Sequence, residues 1–160
     1  MKAVMAAELE SLSTRAEQAP RRRMHLNVHA GLDEPVQRLF IAFEPGTYVR
    51  PHRHTEPNKW ELVALIEGAI DLLTLDDEGR LTERVRLAKD GARAAEIPPG
   101  TWHSYVCRMP GTVLLEVKEG PYIPTTPDNF APWSPPEGDA RVATYLARLG
   151  TIAVGDSSAC

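Results

Sequence analysis

Between residues 35 and 117 every apolar run is cut short by a turn, and this punctuation excludes a helical bundle. The breaks are Pro45-Gly46, Asp77-Glu78-Gly79, Asp90-Gly91, Pro98-Pro99-Gly100 and Pro110-Gly111. They belong to a total of 14 prolines and 11 glycines in 160 residues. The intervening segments VQRLFIAFE, TYVRPHRH, WELVALIEG, AIDLLTLD, LTERVRLA, ARAAEI, WHSYVCR and TVLLEVKE read as short strands. Regular spacing of about eight strands predicts an all-β sandwich or barrel.

The flanks read differently. In residues 2–18, Met5, Leu9, Leu12 and Ala16 recur at helical spacing, and Pro20 closes the segment. RMHLNVH then alternates, with Met24, Leu26 and Val28 on one face and Arg23, His25, Asn27 and His29 on the other, as in a half-buried strand. The stretch GPYIPTTPDNFAPWSPPEG is an arm that packs on the domain, on a second subunit, or over a site as a lid. Residues 139–149 read as a short helix capped by Asp139, and the tail beyond it as loose. The expected organisation is an N-terminal helix over 1–19, a β-domain over 20–120, and a C-terminal arm, helix and tail over 121–160.

A formal charge of −4 argues against a general nucleic-acid binder. The run Arg21-Arg22-Arg23 is read as a solvated edge. Two cysteines, Cys107 and Cys160, make no disulfide framework and are expected to be thiols in a cytoplasmic protein. The N-terminus has too short an apolar run for a signal peptide, and no stretch approaches the length of a membrane span.

Chemistry concentrates in segment 46–68, GTYVRPHRHTEPNKWELVALIEG. On a strand, His52 and His54 share a face and Arg53 points away. Glu61 follows across a turn, and His103 follows the turn Pro98-Pro99-Gly100. Three imidazoles and a carboxylate would make a divalent-metal site. Glu56 is a rival carboxylate, but Pro57-Asn58 marks a turn that leaves it at the rim, so Glu61 is preferred. The set suits iron(II), zinc, manganese or nickel. Strand parity adds Tyr48 and Arg50 beside His52, and Tyr105 and Cys107 beside His103. Arg50 is the candidate anion contact, and Tyr105 a hydrogen-bond donor to a bound ligand. Glu116 and Lys118 share a face that reaches either the cavity mouth or solvent.

These blocks resemble the two motifs of the cupin superfamily. The first is Gly46, His52-x-His54, Glu61 and Gly68; the second is Gly91, Pro98-x-Gly100 and His103. The spacers His54–Glu61 and Gly91–Pro98 are longer than is common, and Cys107 stands where the second motif ends in Asn. More narrowly, EPGTYVRPHRH, KWEL, EIPPGTWH, LLEVKEGPY and FAPW resemble WbuC-type cupin-fold metalloproteins. The resemblance implies a single jelly-roll β-barrel with one divalent cation held by His52, His54, Glu61 and His103. It also implies a link to bacterial surface polysaccharide (O-antigen) synthesis and a homodimer. The expected function is a metalloenzyme, an isomerase or epimerase, on a small oxygen-rich sugar or nucleotide-sugar substrate. An iron(II) dioxygenase and a non-catalytic metal- or ligand-binding module are the alternatives.

Overall fold

The computed structural model describes residues 1–159. Cys160, expected as a second thiol, lies outside them. Eight strands form two antiparallel sheets: β1 (Arg23–Asn27), β2 (Val36–Phe43), β3 (Glu61–Glu67), β4 (Ile70–Leu75), β5 (Leu81–Leu87), β6 (Ala94–Ile97), β7 (Trp102–Cys107) and β8 (Thr112–Glu119). One sheet has the order β1-β2-β8-β3-β6, the other β5-β4-β7. Their facing sides share one apolar core, with Phe43, Val63, Leu65, Ile97 and Leu114 from the first meeting Ile70, Leu72, Leu87 and Tyr105 from the second. This is a jelly roll of two packed sheets.

Period-2 alternation gives each sheet a second apolar face, and each is covered. Helix α1 (Ala6–Gln18) buries Leu12 and Ala16 against Met24, Leu26, Phe40, Ala42 and Val113 on the larger sheet. It starts later than the periodicity suggests because Met5 is its N-cap, its N–H donating to the Glu8 carboxylate at 2.8 Å. Helix α2 (Val142–Thr151) sets Tyr145 and Leu149 on Leu73, Leu81 and Val106 of the smaller sheet. Asp139 does not cap α2. Its carboxylate accepts from Arg141, the residue at the N-cap position.

On β4, Ile70 and Leu72 face the shared core, which turns Asp71 toward α2. Asp71 is 1% exposed and accepts from Arg84 at 2.8 Å and Arg108 at 2.6 Å. The same guanidinium groups donate to the carbonyls of Leu149, Gly150 and Ile152. Cations thus meet the partial negative end of α2, and one buried carboxylate holds both.

The tail is ordered, contrary to the sequence expectation. Leu81 N–H donates to the Asp156 carbonyl, Ser158 N–H to that of Gly79, and buried Tyr145 donates its hydroxyl to Ser158. The turn between β4 and β5 leaves backbone groups that the tail satisfies. The short connection between β3 and β4 requires Gly68, with φ at +80°; an added Cβ would sit 2.7 Å from the Cα of buried Thr112. Gly68→Ala is expected to cost more than about 2 kcal/mol, from left-handed strain plus overpacking. Urea denaturation checks this, and a loss under about 0.5 kcal/mol would show that the turn relaxes freely. Among the described residues no helix is long and apolar enough to cross a membrane.

Candidate metal centre

Segment 47–55 is extended but is not a regular strand, and a turn at Pro57-Asn58 follows it. Pro51 has no N–H to give, and the chain bonds to two neighbours by turns. His52 exchanges backbone hydrogen bonds with His103 of β7, at 3.0 and 2.9 Å. On the other side Arg53 N–H donates to the Asn129 carbonyl and Ala131 N–H to that of Pro51. Both neighbours keep the backbone extended at this point. His52 and His54 therefore stay on the inner side. Arg53 turns out, stacks on Trp102 at 4.2 Å and pairs with Asp77.

Three imidazoles converge. His52, His54 and His103 offer nitrogen atoms that all lie within 4.8 Å of one another, a group that can hold a metal ion. The ring nitrogens are oriented by the backbone: His52 Nδ1 is 3.0 Å from the Arg50 carbonyl, and His103 Nδ1 is 2.9 Å from that of Thr101. A carbonyl can only accept, so Nδ1 carries the proton and Nε2 of the neutral ring carries the lone pair. This is how metal-ligating histidines are commonly held.

Glu61, at the head of β3, is 2% exposed. Its Oε1 lies 2.8 Å from His54 Nε2 and accepts from Lys118 Nζ at 3.0 Å. Its Oε2 is 3.1 Å from His103 Nε2. The two groups are in ion-pair contact, and His103 Nε2 has no settled hydrogen-bond partner among the described residues. A buried nitrogen without a partner is costly. A divalent cation among these nitrogens would satisfy it, and the donor set fits such an ion.

The charges reinforce one another. Burial alone would raise the Glu61 pKa, but Lys118 and the two histidines hold it well below the usual carboxylate range. Burial and the neighbouring His103 hold His52 neutral, far below the ordinary histidine value. At His103 burial is outweighed by Glu61, which raises its pKa, so proton and cation compete for this nitrogen. Burial of Lys118 is likewise outweighed, here by Glu116 at 2.6 Å and by Glu61, and its pKa is raised.

The cluster opens into a cavity of about 560 Å³ between the sheets. Leu39, Ile41 and Phe43 of β2, with Val49, wall it; Glu116 and Lys118 of β8 reach it, and Arg21, Arg23 and His25 lie at its mouth. Tyr105 also lines it, as parity predicts; its hydroxyl is buried and has no hydrogen-bond partner among the described residues. Glu61 lines this cavity and Glu56 does not. Cys107 is buried in the shared core as a free thiol.

Two pocket candidates are placed elsewhere. Tyr48 is buried under α2, edge-on to Tyr145, with its hydroxyl donating to the Pro135 carbonyl at 2.8 Å. Arg50 holds the arm: it donates to Ser134 Oγ at 3.0 Å and to the Ala131 carbonyl at 3.1 Å, and stacks on Phe130. Its guanidinium borders a second cavity of about 510 Å³, which meets the first at Arg21, Arg23, Val49 and His52. Of His25, Asn27 and His29, only His25 lines the first cavity; His29 turns to the backbone of Arg38. Phe130 sits beside His52, so the arm flanks the histidines while Trp133 packs on Trp102.

A family model described as Domain of unknown function (DUF6016) matches residues 4–87. No curated protein matches the chain. Among solved structures, TT1209 from Thermus thermophilus is similar with a TM-score of 0.54 and 21% identity, over 74% of this chain and 97% of that one. Rru_A2000 from Rhodospirillum rubrum, a cupin-2 domain, aligns with a TM-score of 0.51 and 19% identity, over 82% of each chain. An oxalate oxidase in complex with the substrate analogue glycolate aligns at 0.50 and 18% identity, over 65% of this chain and 54% of that one. The chain thus spans about half the length of the oxidase. At these identities the likeness establishes the cupin fold.

Proposed function

We propose that this chain, which belongs to the family described as Domain of unknown function (DUF6016), is a metal-binding cupin that acts on a small oxygen-rich molecule. His52, His54 and His103 hold one divalent cation, with Glu61 as the carboxylate of the site. The observation that carries this is the convergence of three nitrogens within 4.8 Å. Two of those rings are fixed by backbone carbonyls so that Nε2 is the free acceptor.

A bound cation would act as a Lewis acid on a ligand oxygen. The rest is the work of the chain. Tyr105 donates a hydrogen bond to a ligand oxygen, since its buried hydroxyl has no other acceptor. Lys118, held between Glu61 and Glu116, places an ammonium at the cavity floor. The two carboxylates and the ammonium provide proton-handling groups, in keeping with the isomerase or epimerase reading. The sugar or nucleotide-sugar substrate, the polysaccharide link and the homodimer remain part of this proposal through the resemblance to WbuC-type proteins. The cytoplasmic setting suits a thiol at Cys107.

The test is elemental analysis of the chain purified without an immobilised-metal column. About one equivalent of a divalent metal is expected in the wild type, and almost none in a His52→Ala/His54→Ala variant. Stoichiometric metal in that variant would overturn the assignment.

A further inference from the structure

We propose that the cavity takes a carboxylic acid, whose carboxylate replaces that of Glu137 on Arg21 and Arg23 at the mouth. This deepens the reading of the cavity as a substrate site, but it does not depend on the cation. The starting observation is an ion pair between the entry to β1 and the arm. Glu137 lies in the arm, and its carboxylate accepts from Arg21 at 2.8 Å and from Arg23 at 2.5 Å. Both arginines line the first and second cavities, and Glu137 lines the second, so the ion pair borders the place where the two meet.

Arg23 is prepared for such a partner. Its Nη1 donates to the Tyr48 carbonyl at 2.7 Å, which fixes the guanidinium and leaves Nη2 for the carboxylate. Its side chain is 14% exposed, so the bond forms in a partly desolvated place, where charge-assisted hydrogen bonds are strong. Glu137 is less committed: it is 35% exposed and is followed by Gly138, with φ at +87° and open space around it. A free acid of the same chemistry can take its place without disturbing the core.

The cavity constrains the rest of the ligand. Between mouth and floor the wall is Leu39, Ile41, Phe43 and Val49, which offers nothing to a charge. At the floor Tyr105 presents its unpartnered hydroxyl, beside Lys118, whose ammonium is taken up by Glu61 and Glu116. The ligand that satisfies all three zones has a carboxylate at one end, C–H surface in the middle, and an oxygen acceptor at the other. Ring faces of an acidic sugar or a short alkyl segment meet the middle requirement equally.

The experiment uses hexanoate as probe and hexan-1-ol as its neutral counterpart, titrated calorimetrically into the metal-free full chain. Hexanoate is expected to bind saturably, about tenfold or more tighter than hexanol. Glu137→Gln removes the internal competitor and is expected to tighten hexanoate by about fivefold. Hexanol affinity is expected to stay the same in this variant, which separates loss of the competitor from a loosened cavity. Arg21→Gln and Arg23→Gln are each expected to weaken hexanoate by about tenfold. Equal affinity for acid and alcohol, or no change in Glu137→Gln, would overturn the proposal. Metal content measured on the same preparations keeps the two readings apart: loss of metal binding with retained hexanoate binding removes only the metal centre, and the reverse removes only this site.

Discussion

A Lys118→Met chain is expected to lose about 3–5 kcal/mol of stability when metal-free, and to recover most of it on addition of a divalent cation. Lys118 is the ammonium between two carboxylates, Glu61 at 3.0 Å and Glu116 at 2.6 Å, whose side chains are 3% and 8% exposed. Removing it leaves two buried negative charges facing each other across the cavity floor, and charges so placed repel with little screening. Methionine keeps the length and packing of the lysine stem, so the loss reports the charge rather than a hole. A cation among the histidines supplies the missing positive charge beside Glu61. Urea denaturation with and without manganese measures both parts. An equal loss in the two conditions would show that lysine and cation do not share Glu61 as a partner.

The second large effect lies on the other side of the smaller sheet. Asp71→Ala is expected to cost about 3 kcal/mol, near the low end for a broken buried ion pair because its arginines keep some exposure. Arg84 and Arg108 would lose their common acceptor and be left against the backbone at the end of α2. The helix should loosen before the sheets do, so hydrogen exchange in 142–151 should rise well before that in β3 and β8. The metal content should stay that of the wild type, because none of these groups touches the cavity. If exchange rose first in β3, the two halves would be more tightly coupled than their packing indicates.

Much of the centre is legible in the sequence because it rests on short-range rules. The spacing of His52 and His54 gives a common side on any extended segment, and the turn at Pro57-Asn58 separates Glu56 from Glu61. Parity on β8 puts Glu116 and Lys118 on one face, but which way that face points depends on the β2–β8–β3 pairing. The same gap explains Arg50 and Tyr48. Parity sets them beside His52, yet residues more than 80 positions later supply the carbonyls they bind. Asp71 gives no signal, since a lone aspartate in an apolar strand looks like an outward residue. Its partners are Arg84 on β5 and Arg108 just past the end of β7, and the carbonyls they also bind are in the C-terminal helix. The ordered tail is hidden for a similar reason: a terminal run of small residues suits disorder, and its partners are the backbone of the β4–β5 turn and the side chains of Tyr145 and Arg148 on α2.

The single-residue bridges at His52 have a consequence for the order of synthesis. One bridge runs to His103 and the other to Phe130. A nascent chain that has released the two sheets but not yet the arm holds the histidine pair from one side only. Residues 129–131, which bond to Pro51 and Arg53 from the other side, are translated after every strand. The arm therefore adds the second flank of a cradle whose other parts precede it along the chain.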